Sequence, residues 1–315
     1  MQGAASDIGG KGTLFAHLGA HKTGSTLLQS VFLAERPRLL SEGVAYIPFR
    51  DFRRGFTLRT PAWRSAPALP WAEMRAALDA LLPPEPYRAL LVSDETLLGH
   101  LRTDLGNSPH RLYEHCGEAV SFLKRTIGEE RMTVFLFIRR LDDFIESAFL
   151  QRIRVGADVE FQDYVGGFDL GRLSWVPTVQ EIAGALTGPE DAVVVYDHAW
   201  LRAAPGAVLA DLFGRMGATP PPPEALSPGI NLSYTEGQFR LVRRLNRVWP
   251  ARLLRPGRNA VLHLIERSRG GGGRARFFDA ATRWRLAERH RTDLAGIAAL
   301  GGKITLAQAI AEPAA

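Results

Sequence analysis

Lys22, Thr23, Ser25 and Thr26 crowd around Gly24 in the string HKTGST, so one ammonium and three hydroxyls fall within five consecutive residues. Thr13 to Leu18 is apolar enough for a buried strand, and Gly19 to Ser25 reads as a tight polar turn. From Thr26 onward, Leu27, Leu28, Val31 and Phe32 have helical spacing. A strand, turn and helix of this kind aim several backbone N–H groups and the positive end of a helix dipole at one place. Such a place selects a phosphate-like anion. The order of the residues excludes the nucleotide triphosphatase loop G-x-x-x-x-G-K-[ST], in which Lys follows the second Gly. Here Lys22 precedes Gly24 and Ser25 follows it.

A second group with anion chemistry comes later. Met132 to Ile138 (MTVFLFI) is the most strand-like run of the chain and the expected centre of a sheet, and Arg139 stands at its end. Leu141 to Ile153 then has helical spacing through Phe144, Ile145, Phe149 and Leu150, and Ser147 lies in it, eight residues after Arg139. A planar guanidinium grips a phosphate through two parallel bonds, and a hydroxyl one helix away adds a third donor. Alone, Arg139 reads as an ion-pair partner and Ser147 as a helix-face hydroxyl. Together with the Lys22 turn, in this order, they argue for one shared ligand.

The third group is acidic. In Leu90 to Leu97 (LLVSDETL), Asp94 and Glu95 fall just beyond a buried strand, at the carboxyl end where open α/β sheets place ligands. Glu95 is the candidate general base, with partial desolvation expected to raise its pKa; His21 and Asp94 are alternatives. Either carboxylate would serve equally as a helix cap. His17 and His21 have helical spacing but fall in a strand and a turn, so no metal site is expected.

These groups need a scaffold that brings strand ends together. Gly43 to Pro48, Arg88 to Ser93 and Ala192 to Tyr196 read as further strands; Trp71 to Leu82, His115 to Ile127 and Ala207 to Met216 read as helices. The alternation implies an α/β domain with a parallel sheet. Pro220 to Pro223 marks a break. Beyond it Tyr234 to Val248 and Phe277 to Leu300 read as helices, the first Arg-rich, around a four-glycine loop, Gly270 to Gly273, flanked by Arg269 and Arg274. The expected organisation is a flexible terminus over 1–12, an α/β domain over 13–219 and a helical part over 220–315 packed on it.

At 315 residues and 46% hydrophobic the chain can bury a full core. A formal charge of +6 favours anionic partners without choosing among nucleotide, glycan, nucleic acid and membrane surface. The single cysteine, Cys116, excludes an internal disulfide and reads as structural. No apolar run has the length of a bilayer span or the form of a secretion signal, and the expected location is the cytoplasm.

The string HLGAHKTGST resembles the 5′-phosphosulfate loop of sulfotransferases that use 3′-phosphoadenosine 5′-phosphosulfate (PAPS), in the form common in bacterial members, and RRLDDFIES resembles their 3′-phosphate motif. The family usually has Asn-Pro or Asp-Pro after the Arg, where this chain has Arg140-Leu141. The resemblance spans roughly Thr13 to Leu245 in motif order. It implies a three-layer, P-loop-like α/β fold, with the Arg-rich helical extension outside the match. It implies PAPS bound by Lys22, Thr23, Gly24, Ser25, Thr26, Arg139 and Ser147, without a metal. Lys22 would stabilise the leaving group, and Glu95 or His21 would act as base, since some members use Glu and others His. The Q-x-I-R-x-G ending, with Gln151, Arg152, Arg154 and Gly156, and the N-x-S element of Asn231 and Ser233 also resemble the family. Arg152 and Arg154 read equally as cations at a helix C-terminus. The acceptor would be a hydroxyl or amine of a glycan, lipid or small metabolite. No specific nucleic acid and no membrane-spanning segment are expected, and the basic C-terminal part leaves peripheral membrane contact open. Two other readings are a P-loop kinase or ATPase with Asp94 on magnesium, and a non-catalytic protein binding an anionic glycan or nucleic acid.

Overall fold

The computed structural model describes residues 12–60, 71–99, 111–222, 234–249, 255–268 and 272–308. Six strands, β1 (Thr13–His17), β2 (Val44–Tyr46), β3 (Ala89–Ser93), β4 (Arg131–Ile138), β5 (Ala192–Asp197) and β6 (Ile304–Ala307), form one parallel sheet in the order β2-β3-β1-β4-β5-β6. β1 and β4 are its central pair, as the apolar run of β4 predicts. Side chains alternate between the faces. Leu14, Ala16, Val92, Val134, Leu136 and Val195 enter one core; Phe15, Leu91, Phe135, Phe137, Val194 and Tyr196 enter the other. Both faces are therefore covered by helices, the three-layer arrangement parallel sheets require.

The helices are α1 (Ser25–Ala34), α2 (Arg36–Ser41), α3 (Phe49–Gly55), α4 (Trp71–Asp79), α5 (Cys116–Ile127), α6 (Leu141–Arg154), α7 (Phe161–Val165), α8 (Val176–Ala185), α9 (His198–Ala203), α10 (Pro205–Arg215), α11 (Glu236–Val248), α12 (Arg255–Arg267) and α13 (Ala280–Leu300). α1 and α10 share a core with Phe15 and Phe135, whereas α5, α6 and α8 cover the opposite face. Cys116 is buried at the start of α5, where burial pushes its thiol pKa up.

Register puts the chemistry on one edge. His17 lies opposite Ser93 of β3 and Phe135 of β4, so β1 and β3 end level while β4 continues to Ile138. The chain after β1 uses that excess: Leu18 N–H donates to Phe135 O at 3.0 Å and Ala20 N–H to Phe137 O at 2.9 Å. The Lys22 turn is thereby drawn along β4 towards Arg139.

Beyond Pro222 the two expected helices start later than hydrophobic spacing predicts, for reasons of capping, and α12 is a further helix that the spacing does not mark. α11 begins at Glu236 because Thr235 and Gln238 form a reciprocal capping box, and α13 begins after Asp279, whose carboxylate accepts from Thr282 N–H. Phe277 and Phe278 stay outside α13 because both N–H groups donate to Glu146 Oε1, at 2.9 and 3.1 Å. β6 adds a strand to a part that reads as helical; ITLA is four residues long and pairs Ile304 with Val193. Arg269, Gly270 and Gly271 lie outside the described residues, as do Asn231 and Ser233.

Candidate active site

The turn after β1 is a closed unit. Thr23 Oγ1 donates to Ala20 O at 2.6 Å, and Lys22 takes a left-handed backbone with φ 66. That conformation is costly for a residue with a Cβ and persists where surroundings impose it, as at ligand sites. Gly24, at φ 91, caps α1, and a Cβ there would lie 2.8 Å from Leu201 Cδ2. Gly19 is equally constrained, since a Cβ would lie 2.9 Å from His17 Nε2 and 3.1 Å from Thr23 Oγ1. Ser25 and Thr26 open α1, where the helix leaves backbone N–H groups unpaired. Lys22 Nζ donates to Gln151 Oε1 of α6 at 3.5 Å. Burial lowers its pKa, with Arg139 and Arg154 adding to the effect and Glu95 opposing it.

Arg139 reaches this turn directly. Its Nη1 donates to Lys22 O at 2.7 Å, its own carbonyl accepts from Trp175 Nε1 at 2.8 Å, and its Nη2 lies 3.8 Å from Asp143. Burial lowers the guanidinium to about 10; Asp143 opposes the shift and Arg274 and Arg202 reinforce it, so the group is cationic at neutral pH. Ser147 is buried two turns along α6. Arg140, where the family-like pattern has Asn or Asp, forms a two-bond pair with Asp142, at 2.7 and 2.9 Å.

Three polar atoms around the turn are buried without a partner: Arg139 Nε, Ser25 Oγ and His17 Nε2. Buried polar atoms without a partner are uncommon in folded proteins, and these three lie close to one turn. His17 shares its Nδ1 with Ser93 Oγ at 2.8 Å and, held at about 4 mainly by burial, is neutral at physiological pH.

Asp94 and Glu95 have different fates. Asp94 is fully buried, caps the short 3₁₀ helix Glu95–Leu98 by accepting from Thr96 N–H at 3.0 Å, and receives Arg53 Nε and Nη2. It is a structural carboxylate. Glu95 Oε2 accepts from Gln29 Nε2 at 2.9 Å and Oε1 pairs with Arg53 Nη2 at 3.1 Å. Burial pushes its pKa up, but Arg53, backbone N–H, His21 and Gln29 outweigh burial and hold the carboxyl below its ordinary value. The expected upward shift is therefore reversed, because Arg53 arrives from α3, a helix the sequence pattern does not mark. His21 is gripped by Tyr113, whose Oη lies 2.9 Å from both the backbone N and Nδ1 of His21.

Arg154 is spent on Glu266, at 2.6 and 3.2 Å, tying α6 to α12, and Arg152 lies over the Tyr164 ring at 5.5 Å. No sequence motif marks His198 or Arg202 as site residues, and Arg274 is noted there only as a flank of the glycine loop. His198 is lowered to about 4 by burial, then by Arg139 and Arg202, and Arg274 pairs with Asp143 at 3.0 Å. The Arg139 side of the site is thus more cationic than the motif alone conveys.

No protein-family model matches the chain, and no curated protein matches it. A solved structure titled "Sulfotransferase Domain from the Curacin Biosynthetic Pathway" is similar at 14% identity, covering 70% of this chain and 78% of that one, with a TM-score of 0.36. A likeness of that size carries no argument about ligand or chemistry.

Proposed function

We propose that this chain is a PAPS-dependent sulfotransferase acting on a hydroxyl or amine of a glycan, lipid or small metabolite. The observation that carries the reading is the 2.7 Å bond from Arg139 Nη1 to Lys22 O, which joins two anion-binding motifs over 100 residues apart in sequence into one site. The residues present fit the donor. Arg139 Nε and Ser25 Oγ are buried polar atoms without a partner, and Gly24 gives the turn a left-handed backbone at φ 91. Arg139 and Ser147 would hold the 3′-phosphate, and Lys22, Thr23, Gly24, Ser25 and Thr26 the 5′-phosphosulfate. Bound there, PAPS supplies the sulfuryl group and departs as 3′-phosphoadenosine 5′-phosphate.

The chain's own residues do the rest. Lys22 concentrates positive charge where negative charge builds on the leaving side, and its partial desolvation strengthens that interaction. Glu95, ionised and adjacent to the turn, takes the acceptor's proton. The kinase reading needs Asp94 for magnesium, but Arg53 and Thr96 already occupy that carboxylate. The binding-protein reading draws on the arginines of the C-terminal part, of which Arg243 and Arg247 are already paired with Asp158 and Glu160. The test is incubation with sulfur-labelled PAPS and candidate acceptor extracts. Label transferred to an acceptor by the parent and not by Lys22→Ala supports the proposal; label transferred equally by both overturns it.

A further inference from the structure

Among the described residues, the groups around Glu95 form a network that neither motif contains. Gln29 is buried on α1, one turn beyond the anion loop, and its Nε2 reaches back 2.9 Å to Glu95 Oε2. Arg53 comes from α3 on the other side; its fork is fixed by Asp94, itself fully buried, and its Nη2 lies 3.1 Å from Glu95 Oε1. Two separate elements, α1 and α3, therefore converge on the two Glu95 oxygens. A buried amide directed at a carboxylate is costly to maintain unless the bond is made, because either partner alone would lose its hydrogen bond on burial.

We infer that Gln29 and Arg53 are positioning residues that each hold one oxygen of Glu95, fixing the carboxylate beside the Lys22 turn. This rests on the reading of Glu95 as the base. The groups that face Glu95 are Arg53 from α3, Gln29 from α1, His21 and Lys22 from the turn, His17 from β1 and Asp94 beside it in the chain. The cationic and donor groups outweigh burial, so the carboxylate stays ionised below its ordinary titration range. Because α1 starts in the anion loop, Gln29 also ties the base to the element that binds the donor. A shift of that helix on donor binding would be transmitted to the base through one hydrogen bond.

The experiment uses the full chain with ¹³C-carboxyl-labelled glutamate, the Glu95 resonance being the one lost in Glu95→Gln. In Gln29→Leu and in Arg53→Lys the Glu95 titration midpoint should rise, and the acid limb of kcat/KM should rise with it while KM for PAPS holds. Gln29→Asn, which keeps an amide too short to reach, should move the midpoint the same way and serves if the Leu variant misfolds. An unchanged midpoint in a folded Gln29 variant overturns the inference. A midpoint that rises while the acid limb stays fixed supports the holding of the carboxylate and overturns Glu95 as base. The two failures are thus distinguishable, since the resonance is read without turnover.

Discussion

At the residue scale the site depends on strain as much as on charge. Lys22 occupies a left-handed conformation that glycine would adopt freely, so its side chain is kept there against a conformational cost. Lys22→Ala should lower turnover by about two orders of magnitude or more, the range for removing one preorganised charge from a transition state. Lys22→Gly separates the two effects. It should match the parent or exceed it by up to about 1 kcal/mol in denaturant unfolding, because the strain is relieved, while turnover falls as in the Ala variant. Loss of stability in Lys22→Gly would show that the left-handed turn is not strained. The placement of Lys22, Arg139 and Glu95 just beyond β1, β4 and β3, and of Ser147 within α6, was legible in the sequence because apolar runs mark those elements. Gln29 and Arg53 were illegible, since nothing local sets an amide inside an apolar helix or an arginine in a loop-like segment apart from its partner. The direction of the Glu95 shift was misjudged for the same reason.

At the element scale, long apolar runs revealed β1, β3, β4, β5 and the helices that cover them, because burial on both faces leaves little choice of residue. β6 escaped notice because four residues following two positive-φ glycines carry no periodicity. Two elements invite tests. Gly24→Ala at the start of α1 should cost about 1–3 kcal/mol in thermal or denaturant unfolding, through its φ of 91 and the approach to Leu201. Asp191 joins α5 to the first residues of β4: it pairs with Lys124 and accepts from Met132 N–H at 2.9 Å and Gly188 N–H at 2.7 Å. These bonds outweigh burial and hold its carboxyl below the ordinary range. Its stabilisation is therefore complete above the unfolded aspartate pKa of about 4 and disappears as pH falls through the lower folded value. Asp191→Asn should lose about 3 kcal/mol at pH 7 and show a flatter decline of Tm below pH 4 than the parent. Equal slopes would contradict the assignment.

At the scale of the whole molecule, the Arg-rich part beyond Pro222 is bound to the sheet domain along α6. Glu146 accepts from Phe277 and Phe278 and pairs with Arg276 at 3.0 Å, Arg154 joins Glu266, and Asn246 Nδ2 donates to Ile153 O and Ala157 O, each at 2.8 Å. Removing the buried Glu146 carboxylate as Glu146→Ala should cost about 3 kcal/mol in chemical unfolding, and a change near zero would show that this contact does not tie the two parts. None of these ties could be read from the sequence, where the same arginines look like a solvated basic surface. Their partners lie about 100 residues away and are set only by the fold. The described residues contain no helix long and apolar enough to cross a membrane.

On the proposed reading, Arg139 and the Lys22 turn form one site that reads a 3′-phosphate. Calorimetric titration with 3′-phosphoadenosine 5′-phosphate and with AMP, both without magnesium, tests it without knowledge of the acceptor. The parent should bind the bisphosphate about 100-fold more tightly, the value of one or two charge-assisted bonds. Arg139→Ala should bring the two affinities close together, with Ser147→Ala between. A distorted turn would weaken both ligands and leave their ratio intact. Equal affinity of the parent for both nucleotides, or binding of ATP only with magnesium, would contradict the account.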